Sequence, residues 1–238
     1  MVSDDEDATN AAAPTASGPA SDRSSPACAS PSSPAPQPAS SPTPDRAAAD
    51  ADSLAKAISA ARKQAKGPPP VHLWNPPYCG DLDIRIGRDG LWWYLGTPIG
   101  REALVKLFAS VLKLEEGRYF LVTPVEKIGI SVDDAPFLAV DFEQHHDERG
   151  PVLVFETNVG DLTEAGAENP IRVAFDPETG EPAPYVHVRR GLEALIDRKS
   201  FYRLAEIGEV RAHDGEDWFG VISAGQFFPI QRAAALAE

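Results

Sequence analysis

The spacing of hydrophobic residues changes several times along the chain, and each change predicts an element of structure. In the first half, four stretches alternate or run apolar over the length of a strand: DLDIRI, LWWYL, RYFLVT and EKIGISV. The first two flank GRDG, whose Asp-Gly pair is typical of a hairpin turn. Between the second and third, TPIGREALVKLFASVLKL places apolar residues three and four apart, which predicts an amphipathic helix. The predicted order is β-β-α-β-β, ending at residues 133–136.

The second half begins with an additional predicted hairpin. Its strand-like stretches are FLAVDFEQ, VLVFETN, IRVAF, PYVHVRR, EVRAHDG and DWFGVIS. The first two surround HHDERG, and a long polar loop follows them. GLEALIDRKSFYRLAEIGE, between the fourth and fifth, predicts one helix or two with a break near Lys199. GQFFPI closes the folded part.

Two similar hexamers suggest that one unit occurs twice. GREALV spans residues 100–105, and GLEALI spans residues 191–196. Glu, Ala and Leu are good helix formers, so the hexamer alone is weak evidence. Aligning the hexamers also brings the flanking elements into register, which favours duplication. We therefore predict an α+β protein of two unequal domains, residues 70–136 and 137–232, with antiparallel sheets each backed by a helix.

Residues 1–69 are dominated by Ala, Pro, Ser and Asp, and we predict a disordered tail. Within it, residues 53–66 place apolar side chains at helical spacing, with Ser53 in a capping position. A short Ala-rich helix is marginal alone. We expect it to fray rather than to dock on the folded part.

Charge and composition exclude several classes of protein. The net charge is −14, which argues against nucleic-acid binding and against binding to an anionic membrane surface. The apolar runs are of strand length, and the N-terminal MVSDDED lacks the features of a signal peptide. The two cysteines, Cys28 and Cys79, are too few for a disulfide framework. We expect a cytoplasmic protein.

The common cofactor and metal motifs are missing. The sequence has no phosphate-binding loop, no dinucleotide fingerprint, no serine-nucleophile elbow, no zinc-protease motif and no paired C-x-x-C. His145, His146 and Asp147 are predicted to lie in a solvent-exposed turn rather than around a metal ion. We therefore expect no cofactor and no metal.

Long stretches resemble one family. They are HLWNPPYCGDLDIRI, YLGTPIGREALVKLFASVL, YFLVTPVEKIGISVDDAPF, TNVGD and PYVHVRRGLEALI. Together they resemble the proteobacterial domain-of-unknown-function family 1285, over residues 71–230. The resemblance implies a duplicated α+β core, a second domain superficially like pleckstrin-homology folds, and a nucleotide-like ligand at the domain interface in signal transduction. It implies no established activity.

The strongest candidate for a ligand contact is YVHVRRG. Strand alternation places Tyr185, His187 and Arg189 on one face, and a helix is predicted to begin at Gly191. An arginine beside a helix N-terminus suits an anion. The alternative is a solvated strand face, with Glu193 satisfying the helix end.

Three further stretches supply weaker candidates. LVTPVEK offers Thr123, Glu126 and Lys127, which could recognise a ligand or form an ordinary Glu–Lys pair. TNVGD offers Asn158, for which we prefer a local cap of the turn.

CGDLDIR places Asp81, Asp83 and Arg85 on one strand face. Cys79 precedes them and is expected to be a small buried residue.

The leading hypothesis is a non-catalytic regulatory protein that binds a small anionic ligand, possibly nucleotide-like, in the crevice between its domains. Arg189 would hold the anion, Lys127 would assist, and Tyr185, Asn158 and Thr123 would shape the pocket. One alternative is a hydrolase or transferase that uses carboxylates such as Asp81, Asp83 or Glu126. Another is a protein-interaction scaffold with an exposed apolar patch and no cleft.

Overall fold

The computed structural model describes residues 53–60 and 69–236, which belong to one compact unit of the chain. The predicted disordered tail lies outside the described residues, apart from residues 53–60 and 69. In the described part of the chain, no helix is long and apolar enough to cross a membrane.

The first half forms one six-stranded sheet and a helix. Residues 53–60 are helical (α1), and a 3-10 turn occupies Val71–Leu73. Helix α2 spans Glu102–Ser110. The strands are β1 Tyr78–Ile86, β2 Trp92–Tyr94, β3 Thr97–Pro98, β4 Leu112–Glu115, β5 Arg118–Val122 and β6 Lys127–Val132. Their order across the sheet is β3-β2-β1-β6-β5-β4.

The second half contains two sheets. Helix α3 spans Arg198–Glu206 and packs against β7 and β14. The strands are β7 Phe137–Asp147, β8 Gly150–Thr157, β9 Leu162–Glu164, β10 Ile171–Phe175, β11 Pro182–Arg189, β12 Leu192–Ile196, β13 Glu209–His213, β14 Glu216–Ser223 and β15 Gln226–Arg232. A six-stranded sheet has the order β10-β11-β12-β7-β8-β9, and a smaller sheet has the order β13-β14-β15. The fold is therefore mostly sheet with three helices, in agreement with the α+β prediction.

The prediction of purely antiparallel sheets is wrong. Strand β1 pairs with β6 in parallel, with Arg85 opposite Ser131, and β12 pairs with β7 in parallel, with Leu195 opposite Leu138. In each half, the parallel pair joins the first strand of that half, β1 or β7, to a strand much later in the sequence. Sequence patterns report which face of a strand is buried but not the direction of its neighbour.

The two hexamers adopt different structures, so their alignment is wrong. In GREALV, α2 begins at Glu102, whereas most of GLEALI forms the extended strand β12. In β12, Leu192, Ala194 and Ile196 are buried and the residues between them are partly exposed. Alternating burial of this kind is that of a strand flanked by β11 and β7. Pairing with the adjacent strand β11 and with the distant strand β7 overrides the helix preference of Glu, Ala and Leu.

Helix α2 is also shorter than predicted. The apolar spacing continued through Leu112, but the helix ends at Ser110 and Leu112 begins β4. Strand β4 pairs with β5, with Leu112 opposite Leu121. The turn between them uses Glu116 and Gly117, both with positive φ, as a tight hairpin requires. The apolar spacing of three and four residues thus extends past the end of the helix by coincidence, because Leu112 is a buried residue of a strand.

Most of the buried apolar side chains belong to one cluster that runs through both halves. It includes Trp92 and Phe108 from the first half and Phe137 and Phe155 from the second. Leu54 and Ile58 of α1 belong to the same cluster and are fully buried. The expectation that this helix frays is therefore wrong for residues 53–60, because tertiary packing stabilises a helix that is marginal alone.

Candidate functional site

A groove of about 650 Å³ opens where the β1–β2 turn meets strands β11 and β12 and helix α3. Its volume exceeds the 460 Å³ of a depression at Lys127 and the 350 Å³ of one beside Cys79. The walls are mainly apolar, and two arginines stand among them. The side chains used below are Leu138, Leu195, Phe201, Tyr202, Arg88 and Arg198. A mainly apolar cleft of this size with few charged groups is typical of small-molecule sites.

The β1–β2 turn is fixed against the second half by Asn158. The Asn158 side chain accepts a hydrogen bond from Leu138 N at 3.1 Å and donates one from Nδ2 to Gly90 O at 3.0 Å. Gly90 has a positive φ, and a Cβ there would lie 2.7 Å from Asn158 Nδ2. Only glycine fits this close approach without strain. The contact sets the position of the turn, and the turn forms one wall of the groove.

A second contact reaches the same turn through Asp134. Arg88 Nε lies 3.1 Å from Asp134 Oδ2, and the Tyr185 hydroxyl donates to Asp134 Oδ1 at 2.8 Å. The guanidinium carbon of Arg172 lies 4.1 Å from the centre of the Tyr185 ring. Burial, together with the hydrogen bond to Asp134, raises the pKa of Tyr185 to about 12. Tyr185 is therefore a neutral donor that positions Asp134, and Asp134 orients Arg88.

Arg198 stands on the opposite wall, at the first residue of α3. Asp197 caps this helix by accepting a hydrogen bond from Ser200 N at 2.7 Å. The Nε of Arg198 donates to the Tyr202 hydroxyl at 3.2 Å. Among residues 53–60 and 69–236, no carboxylate lies within ion-pairing distance of Arg198. Its terminal nitrogens are therefore the cationic groups of the groove best placed to meet a ligand.

Comparisons with known proteins decide the family. The model of the DUF1285 N-terminal domain, a domain of unknown function, matches residues 69–135, and the model of the C-terminal domain of the same family matches residues 136–230. A crystal structure of a DUF1285 family protein from Silicibacter pomeroyi DSS-3 is 61% identical and has a TM-score of 0.69. The alignment covers 76% of this chain and 98% of that one. The chain belongs to the DUF1285 family.

A second similar structure is that of a DUF1285 family protein from Shewanella baltica OS155. It is 32% identical, covers 52% of this chain and 90% of its own, and has a TM-score of 0.42. A search of curated proteins found no match. The family of this chain is thus known, and its members are described as proteins of unknown function.

The groove lies between the two DUF1285 domains. Arg88 and Asp89 belong to the N-terminal domain, and the lining residues from Leu138 to Tyr202 belong to the C-terminal domain. A ligand in the groove would therefore contact both domains. The sequence predicted a ligand site between the domains, and none of the eight predicted ligand residues lines this groove.

Arg189 joins the two DUF1285 domains without facing the groove. It forms an ion pair with Asp161 and donates through Nη2 to Ala109 O, in the last turn of α2, at 2.9 Å. Its guanidinium carbon also lies 4.8 Å from the centre of the Phe137 ring. A cation at a helix C-terminus stabilises the carbonyls that lack partners within the helix. The predicted helix N-terminus at Gly191 is wrong, because Arg190 and Gly191 form the turn between β11 and β12.

Lys127, Thr123 and Glu126 have local partners within the DUF1285 N-terminal domain. Lys127 Nζ contacts Glu115 Oε2 at 2.8 Å, and Lys113 contacts Glu115 Oε1 at 2.6 Å. Hydrogen bonds from Lys113 and Lys127 hold the pKa of Glu115 below its usual range. The buried Thr123 hydroxyl accepts from Glu126 N at 3.1 Å, which closes a turn.

Asp81 and Arg85 lie apart on β1. Asp81 pairs with Arg118 at 3.0 Å, and Arg85 pairs with Asp133 at 3.6 Å; all four side chains are well exposed. Cys79 is exposed, so the expectation that it is buried is wrong. A register shift in the β1–β6 pairing lies between Tyr78 and Asp81, next to this cysteine. Irregular pairing of this kind changes which face of a strand a side chain occupies.

The eight predicted ligand residues do not meet at one place, and their role in binding stays a prediction. Tyr185 and Asn158 act on the groove indirectly, through Arg88 and Gly90. His145 and His146 are exposed as predicted, although they belong to strand β7 rather than to a turn. In the described part of the chain, no group of three or more His, Cys, Asp or Glu side chains could hold a metal ion.

Sequence reasoning missed Arg88, Asp134 and Arg198. Arg88 lies in GRDG, which was interpreted only as a turn, and Asp134 lies in DDAP, which was interpreted only as a boundary. Arg198 lies within a stretch predicted as one helix, or as two with a break near Lys199. The Asp-x-x-Ser pattern at residues 197–200 was the available sign of a helix start, and it would have placed Arg198 at an element boundary.

Proposed function

We propose that this protein is a non-catalytic module that binds a small anionic ligand in the groove between its DUF1285 domains. The observation that carries the proposal is Arg198, a guanidinium without an ion-pair partner among the described residues, on the wall of a mainly apolar groove of about 650 Å³. Such a cation can form a bidentate pair with an anionic group. The apolar walls beside it would favour a ligand that also carries an apolar part.

A regulatory role follows from where the groove lies. Its walls come from both domains, so an occupied groove would link the β1–β2 turn to α3 more tightly than an empty one. The continuous core makes a large rotation of one domain against the other costly. We therefore propose that binding alters the surface around Arg88 and Arg198, and with it the affinity for a protein partner in signal transduction.

The two domains also support a proposal about origin. Each contains three strands, one helix and three strands in the same order: β1–β3, α2 and β4–β6, then β10–β12, α3 and β13–β15. In the first copy β1 pairs with β6, and in the second β10 packs against β15. This order supports a duplicated unit although the two hexamers do not correspond.

The test is a thermal-shift screen of the full chain against small anions, including nucleotides, phosphorylated metabolites and carboxylates. A ligand present at a hundredfold excess over its dissociation constant should add about 2.7 kcal/mol to the free energy of unfolding. We expect Arg198→Gln to remove this response while leaving the unliganded melting temperature nearly unchanged.

Lys199→Gln is the matched control, because Lys199 is an exposed cation on the same helical turn. It should keep the response. No stabilisation by any anion, or a response that survives Arg198→Gln, would contradict the proposal.

A further inference from the structure

The charges on the walls of the groove limit the class of anion it suits, and this step rests on the proposed function. Among the described lining residues, the cations are Arg88 and Arg198. The carboxylates on the same walls are Asp89, Glu181 and Asp197. The lining therefore carries one more negative than positive charge, within a chain whose net charge is −14.

Two of these carboxylates are fixed in place by the backbone. Asp89 Oδ1 accepts from Leu91 N at 3.0 Å, and Asp197 Oδ1 accepts from Ser200 N at 2.7 Å. They cannot turn away from a ligand without breaking the β1–β2 turn or the cap of α3. A polyphosphate would bring several negative charges against them, and like charges repel.

The two arginines are not equivalent. Arg88 is held by Asp134 at 3.1 Å, so its charge is already partly neutralised. Arg198 contacts only the Tyr202 hydroxyl and ring in the part of the chain that the structure describes. The groove thus offers one cation that has no ion-pair partner among the described residues, although Glu181 lies close enough to act on its charge. One such cation matches a ligand with a single negative charge.

The rest of the lining suits a ligand whose uncharged part is apolar. Leu138, Leu195 and Ile196 supply aliphatic surface, and Phe201 supplies an aromatic ring beside them. Recognising a nucleobase needs several donors and acceptors aimed at its edge, whereas most of this lining is aliphatic, proline or aromatic. Apolar surface instead stabilises a ligand in proportion to the apolar area that it removes from water.

We infer that the groove takes a monocarboxylate with an apolar acyl or aryl body. The carboxylate pairs with Arg198 through two parallel hydrogen bonds, and the body lies along Leu138, Leu195 and Phe201. Asp89 and Glu181 reject more highly charged anions. The neutral hydroxyl of Tyr185 keeps Asp134 on Arg88, so Arg88 closes the groove without adding a second free charge.

Calorimetric titration of the full chain tests this class with matched probes. Octanoate and 3-phenylpropionate supply the acyl and aryl bodies; octanamide removes the charge, acetate removes the body, and AMP and ATP supply phosphates. We expect one of the two apolar carboxylates to bind at least tenfold more tightly than octanamide and acetate. Arg198→Gln should weaken that binding at least tenfold, whereas Arg211→Gln, an exposed arginine paired with Glu209 outside the groove, should not.

Each outcome decides between the two proposals. Equal binding of octanoate and octanamide overturns the inference, because the charge would not be recognised. Tight binding of AMP or ATP that depends on Arg198, without binding of either apolar carboxylate, overturns the inference and leaves the proposed function standing. No binding of any anion overturns both. Leu195→Asp is a second variant that places a negative charge on the apolar wall, and it should abolish binding of the carboxylate.

Discussion

Arg189 and Arg198 are both arginines of the C-terminal domain, and they serve different purposes. Arg189 reaches the N-terminal domain and has its donors satisfied by Asp161 and by Ala109 O at the end of α2, with its side chain only 25% exposed. Arg198 lies on the wall of a groove and has no carboxylate partner among the residues described. Residue type alone therefore does not identify a ligand contact, because an arginine whose donors are satisfied is part of the scaffold.

The two places where the domains meet differ in the same way: polar groups around Arg189 have partners, whereas the groove is left open. Around Arg189, a helix C-terminus, an ion pair and the Phe137 ring leave little unsatisfied. Around the groove, Asn158 and Asp134 fix the β1–β2 turn but leave an open cleft beside it. We expect changes at the first contact to affect stability alone, and changes at Asn158 or Asp134 beside the groove to affect stability and binding together.

Gly90→Ala should have the largest effect on stability. The added Cβ would strain a positive φ and displace Asn158 Nδ2, which lies 2.7 Å from it, so we expect a loss of about 3 kcal/mol from the free energy of unfolding. Gly180→Ala is the control, because Gly180 also has a positive φ but open space around it; it should cost about 1 kcal/mol. Urea unfolding measures both, and equal losses would show that the Asn158 contact is unimportant.

Arg189→Met should come next, with a loss of about 2 kcal/mol. Methionine keeps an apolar stem against Phe137 while removing the donors to Ala109 O and Asp161. Chemical unfolding would measure the loss, and Arg190→Met, at the exposed neighbouring residue, should leave stability nearly unchanged. Anion binding should be the same in both variants and in the original protein. Loss of binding in Arg189→Met alone would restore Arg189 as a ligand residue.

Tyr185→Phe should cost about 1 kcal/mol near neutral pH, because Asp134 loses a hydrogen bond. The pKa of Tyr185 is raised from 10.0 to about 12, so its contribution is complete below pH 10. Between pH 10 and 12 the unfolded tyrosine ionises while the folded one stays neutral, and the folded state is destabilised. The advantage of the original protein over the variant should therefore shrink across this range in urea unfolding. A constant difference would contradict the raised pKa.

Asp81→Asn should have the smallest effect. Asp81 and Arg118 form an exposed pair, and such pairs contribute little to stability. Neither the melting temperature nor anion binding should change measurably. A clear loss of binding would instead favour the depression beside Cys79, which Asp81 and Glu126 both line.

Many strands of this fold were predictable because their own sequences show the alternation and turn residues that are typical of strands. The DLDIRI hairpin, the β5 and β6 strands and the β7–β8 hairpin all follow local alternation and turn residues. GLEALI was not predictable in this way, since its apolar residues fit both a helix and a strand. Its structure is decided by pairing with the flanking strands, where Tyr185 lies opposite Leu195 and Phe137 lies opposite Ala194.

The site was less predictable than the fold. An interdomain ligand site stays a prediction, and none of the eight predicted ligand residues lines the groove. Arg189 was favoured because an arginine followed by a predicted helix suits an anion, but the helix was absent and a helix C-terminus took its place. Whether an arginine is free or paired depends on contacts between residues about 80 positions apart, such as Arg189 with Ala109. No local pattern reports such contacts.

The docking of α1 has a practical consequence for preparing this protein. The matched family region begins at residue 69, yet Leu54 and Ile58 fill part of the interior. A version of the protein that begins at residue 69 would keep every strand, but it would expose to water the apolar surface that Leu54 and Ile58 cover. Such a fragment should bind hydrophobic dyes and aggregate at high concentration. Adding a peptide of residues 53–66 should reduce both the dye binding and the aggregation.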